Sequence, residues 1–131
     1  MLKSVLIVLA TLAAMLMFTG RAEAAAGVRL QASMRGAAQL KAVGRYEERP
    51  RGNLTEQRFK VEIQGAKPGT QYEVRVNGLV MGTITINTLG RGVLDQRVNS
   101  DNPGTNVPSL PHIQAGDAIT VGALSGTFQN I

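Results

Sequence analysis

A single histidine, His112, and the absence of cysteine leave this chain almost no material for metal or thiol chemistry. A His-containing metal cluster, or a Cys nucleophile paired with His, has nearly nothing to draw on. Ser109, His112 and Asp117 could formally make a Ser-His-Asp set. No serine, however, stands in a sequence resembling a strained nucleophile elbow. His112 follows Pro111 in a proline-rich stretch and reads as a solvated loop histidine. Glu47 and Glu48 are adjacent among Arg45, Arg49 and Arg51, so they read as members of a charged loop rather than as an acid–base pair. The segment 99–104 (NSDNPG) places oxygen-bearing side chains at alternate positions, as a calcium loop does. Its fifth position is Pro103 and its twelfth is Leu110, where a bidentate Glu would be needed. Asn, Asp, Pro and Gly there read as turn formers. The residues therefore predict no catalytic group, no metal and no cofactor.

Charge is the chemistry that remains. Residues 27–67 hold nine Lys and Arg against four Glu, whereas residues 68–131 hold three Arg against four Asp and Glu. Such asymmetry can make a basic face that attracts polyanions, or can simply keep a surface soluble. On alternating strands, Arg58 and Lys60 would share an outward face with Arg75 if their strands pair, and Lys41 and Arg45 would extend it. That face would suit acidic polysaccharide, lipid headgroups or extracellular nucleic acid. Glu62 and Glu73 could instead pair with these bases across strands. Tyr46, Phe59, Tyr72 and Phe128 fall on inward positions, so they predict core rather than stacking platforms for sugars or bases.

The elements that must carry these residues show a period of two, the mark of half-buried strands. Val28, Leu30, Ala32 and Met34 alternate with polar residues, as do Leu40, Ala42, Gly44 and Tyr46, then Phe59, Val61 and Ile63, then Tyr72, Val74 and Val76. The stretch 79–86 (LVMGTITI) is less polar and rich in β-branched residues, which predicts a central strand. A weaker strand is expected over 90–97, and the last two strands over 118–122 and 124–129. Asn77-Gly78 is a strong hairpin signal, and Lys67-Pro68-Gly69 supplies a tight turn. Residues 47–55 and 98–112 are expected as loops, the second either a crossover between sheets or a binding loop. No segment after residue 26 combines a helical period with caps. The expectation is an all-β antiparallel sandwich or barrel of about seven or eight strands over residues 27–131.

Lys3, the apolar run 5–18 and the small residues near Ala22-Glu23-Ala24 follow the order of a secretory signal. The run is shorter than the roughly 20 residues a spanning helix needs. The reading is a signal helix over 1–24 and a secreted or periplasmic mature chain. Without cysteine that chain has neither a lipid attachment point after the leader nor disulfides, so burial and the sheet ladder must stabilise it.

The stretch Ala66-Lys67-Pro68-Gly69-Thr70-Gln71-Tyr72-Glu73-Val74-Arg75-Val76 resembles the corner of fibronectin type III domains, where a Pro-Gly-Thr turn precedes a strand opening on an inward Tyr. The resemblance implies an immunoglobulin-like sandwich with the Tyr72 hydroxyl bonded back to nearby backbone. The wider layout is similar to small exported bacterial domains. More remotely it is similar to CHRD domains, through the opening Leu-x-Ala strand, Gly44 with Tyr46, Phe59-x-Val61, and Gly126-Thr127-Phe128. No functional site carries over from either. The function expected is an exported non-enzymatic binding or scaffolding domain whose partner is an acidic polysaccharide, an envelope component or a protein. The alternatives are a small carboxylate-dependent hydrolase or lyase, and a periplasmic inhibitor or chaperone.

Overall fold

The computed structural model describes residues 27–131, so the expected leader over 1–24 lies outside the described residues. Nine strands follow in order: β1 (Val28–Arg35), β2 (Lys41–Arg51), β3 (Leu54–Gln64), β4 (Gln71–Val76), β5 (Leu79–Thr85), β6 (Gly92–Val98), β7 (Ala118–Val121), β8 (Leu124–Thr127) and β9 (Gln129–Asn130). They form two antiparallel sheets, ordered β6-β3-β2-β1-β9 and β5-β4-β7-β8. The fold is a β-sandwich, and among the described residues the only helical element is a 3-10 turn at Pro103–Thr105.

Alternation builds the core directly. Leu30, Ala32 and Met34 of β1, Ala42 and Tyr46 of β2, and Phe59, Val61 and Ile63 of β3 are buried from one sheet. Val74, Val76, Ile84, Ile119, Val121 and Leu124 meet them from the other. Tyr46 and Phe59 have no exposed surface, and Tyr72 is half-buried against the same core. At Asn77-Gly78 both residues have positive φ, 50° and 83°, as a two-residue hairpin turn requires.

Four local expectations give way. Residues 47–55 are not a loop: β2 continues to Arg51 and β3 begins at Leu54, so the chain folds as one long hairpin. Pro50 is tolerated because β1 ends opposite Glu48, so the missing N–H has no neighbouring strand to serve on that side. The strand at 79–85 is an edge rather than a centre, and its apolar Leu79 and Val80 are exposed. Its pairing skips one residue, with Val74 opposite Gly82 and Arg75 opposite Val80, which leaves Met81 as a bulge. The Met81 carbonyl freed there accepts a hydrogen bond of 2.8 Å from Gln96 Nε2 on β6. The weak strand expected over 90–97 starts at Gly92, because Gly90 and Arg91 complete the preceding turn. The last expected strand is split at Phe128, whose ring is buried while the chain turns from β8 in one sheet to β9 in the other.

The stretch 98–112 leaves β6 in the five-stranded sheet, and the chain arrives at β7 in the four-stranded one, so it is a crossover. Gln57, a buried polar side chain, fastens it. Its Nε2 donates to Leu110 O at 3.2 Å, to Pro111 O at 3.4 Å and to the Tyr46 hydroxyl at 2.9 Å.

The two sheets approach so closely at β8 that a Cβ added to Gly126 would lie 2.9 Å from the Ser33 carbonyl oxygen. Backbone cannot yield there as a flexible side chain can. Gly126→Ala is expected to destabilise the domain by about 1–3 kcal/mol, as overpacking does. Urea denaturation of the variant beside the parent protein measures it.

Candidate functional site

Parity and register set the outer face of the five-stranded sheet. One row across the strands reads Arg29, Glu47, Arg58, Arg97, and the next reads Gln31, Arg45, Lys60, Asp95. Arg35 and Lys41 are paired partners at the far end of the face, with Gln64 beside Lys41. Lys41, Arg45, Arg58 and Lys60 therefore do share one face. Arg75 does not. It lies on β4 in the other sheet, because the segment after β3 carries the chain across the sandwich instead of returning it as a neighbouring strand.

Acids decide which of these bases are free. Arg58 lies 3.5 Å from Asp95, and Lys60 lies 3.0 Å from Glu62. The Arg58 Nε is buried with no hydrogen-bond partner among the described residues, so this side chain is pinned against the sheet. Arg97 also reaches Asp95, at 3.3 Å, and Arg29 lies 3.9 Å from Glu47. Glu62 pairs along its own strand rather than across strands. Glu73 does the same with Arg75 on the opposite sheet, at 2.5 Å. Arg45, Arg58, Lys60 and Glu47 surround only a depression of about 110 Å³.

Arg45, in the middle of the face, meets only the neutral Gln31, and three further bases without an acid partner among the described residues lie together at its end. A cleft of about 550 Å³ opens between the β1–β2 turn and the segment before β6, with Arg35, Lys41, Arg91, Gln39 and Gln64 on its walls. No acidic residue lines it. Among the described residues Arg35, Lys41 and Arg91 have no carboxylate within 4 Å. The size falls in the range of small-ligand sites. Three cations on one cleft, with no acid lining it among the described residues, make a positive field that matches an anionic group, and at these exposed positions such a field is weak and screened by salt. Arg35 could have been found from its outward parity on β1. Arg91 could not, because its position depends on β6 pairing with β3 across a long sequence gap.

The other chemical candidates resolve into structural roles. His112 Nδ1 is 2.7 Å from Glu48 Oε1, and the same carboxylate oxygen accepts from the Tyr46 hydroxyl. Burial, reinforced by the Glu48 carboxylate, raises the Tyr46 pKa above its ordinary value. Asp117 Oδ2 accepts from Gln114 N at 2.9 Å within its own turn, so it is engaged away from His112. In the segment 99–104 the side-chain oxygens serve backbone turns: Ser100 Oγ accepts from Asn102 N, and Asn102 Oδ1 from Gly104 N. Asp101 pairs with Arg51. Among the described residues no three His, Asp or Glu side chains converge. No protein-family model matches the chain, and no curated protein is significantly similar to it.

Partial burial pushes the Asp95 carboxyl up, but hydrogen bonding from Arg97 and the charges of Arg58 and Arg97 outweigh it and hold it below its ordinary value. A depressed carboxyl stabilises the fold above the unfolded-state pKa, and that contribution is lost as pH falls through the folded-state value. Asp95→Asn is therefore expected to be less stable than the parent at neutral pH. The gap should close below about pH 4, the ordinary Asp range. Urea midpoints measured across that range test it.

Proposed function

We propose that this protein is an exported, non-enzymatic binding module that holds anionic groups at the Arg35–Lys41–Arg91 cleft, with Arg45 extending the approach along the outer face. The observation that carries the reading is the segregation of neutralised from unneutralised bases. Arg58, Lys60, Arg97 and Arg75 have acids within 4 Å, whereas Arg35, Lys41 and Arg91 surround a cleft without one. Like charges gathered without counter-ions repel one another and bring no gain in folding. A ligand of opposite charge relieves that repulsion when it binds. The aromatics support an electrostatic mode over stacking, since Tyr46, Phe59 and Phe128 are buried. Arg45 donates to Gln31 at 3.4 Å, a neutral partner that leaves its charge available to a passing polyanion.

On a heparin column at low salt the parent protein should be retained and should elute as salt rises, because surface charge is screened within about 10 Å at 0.1 M. Replacing Arg35, Lys41 and Arg91 together by Gln should abolish most of that retention. Replacing Arg29, Arg49 and Arg75 together by Gln removes the same charge from acid-paired positions outside the cleft and should shift the elution salt far less. Equal losses from both variants would show that net charge, not the cleft, is responsible.

A further inference from the structure

The end of the sandwich that carries the cleft is chemically unlike the opposite end. Three connections meet there, over 36–40, 65–70 and 86–91. Ala66 N donates to Gly90 O at 3.1 Å and Gly69 N to Ile86 O at 2.9 Å, which ties two of them together. The β7–β8 turn at Gly122-Ala123 joins them, with Leu124 lying against Gly36. These connections and their flanks carry Arg35, Lys41, Lys67 and Arg91, and not one Asp or Glu. The opposite end is mixed, with Glu48, Glu56, Asp101 and Asp117 beside Arg49 and Arg51, which pair with Glu56 and Asp101.

The residues between the bases are small or apolar: Ala37, Ala38, Pro68 and Ala123 are all exposed. Above them stands Leu89, on the cleft rim and 77% exposed, more than any other large apolar residue among those described. Its exposure is built. Asn87 Oδ1 accepts from Leu89 N at 2.9 Å and from Arg91 N at 3.0 Å, and Asn87 N donates to Arg91 O at 2.8 Å. Gly90 closes the turn with φ of 77° while its Cα side faces the Ala66 carbonyl, where a Cβ would come within 2.9 Å. The turn thus fixes a leucine and an arginine side by side at one end of a rigid domain.

Transfer of the exposed Leu89 side chain into an apolar layer would be favourable, and the bases beside it decide what kind of layer. A polysaccharide would meet the charges and leave Leu89 wet. An anionic lipid surface meets both, with headgroup phosphates at the bases and the acyl boundary at the leucine. Resting on the anion-binding reading above, we infer that this end docks onto an anionic lipid surface, with Leu89 entering the headgroup–acyl boundary and Arg35, Lys41, Lys67 and Arg91 contacting headgroups.

Co-sedimentation with phosphatidylglycerol vesicles, phosphatidylcholine vesicles and heparin beads tests it. Binding to phosphatidylglycerol and not to phosphatidylcholine is expected, lost at high salt. Lys41→Gln with Arg91→Gln should weaken both vesicle and heparin binding, by about fivefold per base on vesicles at low salt. Leu89→Ser should lower the ratio of vesicle to heparin affinity about tenfold, the scale of partly burying one leucine; an unchanged circular dichroism spectrum reports that the variant is folded. Heparin binding without phosphatidylglycerol binding would overturn the lipid inference and leave the anion reading standing. So would vesicle binding that Leu89→Ser leaves unaltered. Binding to neither would remove both.

Discussion

Tyr46, Phe59 and Phe128 are sealed between the two sheets with essentially no surface in water, and no covalent bridge assists them. Burying aromatic side chains of this size is the largest single contribution available to a domain without disulfides. It also imposes the constraint from which the rest follows. Each strand must keep its apolar residues two apart and facing inward, and every polar residue between them is thereby committed to the outer face. Glu47 and Glu48 show how strict this is. One meets Arg29 on the outside, and its neighbour turns to the Tyr46 hydroxyl and His112. A shift of one residue in β2 would exchange their positions and place Arg45 against Phe128.

The same constraint sorts the charges. Along the middle of the rows on the five-stranded sheet, Asp95 or Glu62 falls within reach of Arg58, Arg97 and Lys60, while Arg45 meets only the neutral Gln31. At the end of the sheet the rows run out and the chain passes into turns that hold Lys67 and Arg91 but no Asp or Glu. Among the described residues, no carboxylate lies within 4 Å of Arg35, Lys41 or Arg91 there. Unpaired positive charge therefore collects where regular pairing stops, at an end of the scaffold where loops gather.

Much of the fold could be read from the sequence because its signals are local. The inward sets of β1, β2 and β3, the Asn77-Gly78 turn and the Lys67-Pro68-Gly69 turn each depend on a few adjacent residues. What escaped depends on which strands become neighbours. Pro50 looked like a loop residue because the sequence does not show that β1 stops short of it. The apolar run at Leu79–Thr85 looked central because apolarity is shared by centres and by edges that lie under a crossover. Arg75 shares the outward parity of Arg58 and Lys60, but only a pairing of β3 with β4 would gather the three, and the sandwich does not make it. Arg91 has no distinguishing neighbours at all, and its place at the cleft comes from β6 lying beside β3. The charges were legible, but which of them remain unneutralised was not.

The bulge at Met81 has a consequence for how the molecule behaves in a crowd. Residues 79–85 hold no charge and no proline, and they form the unpaired margin of a sheet. A straight margin of that composition is a template on which further chains can stack, strand upon strand, into fibres. The extra residue bends the template, and Gln96 occupies the carbonyl that the bend turns loose. Solubility at this edge thus rests on one misregistered methionine and the amide that holds it in place.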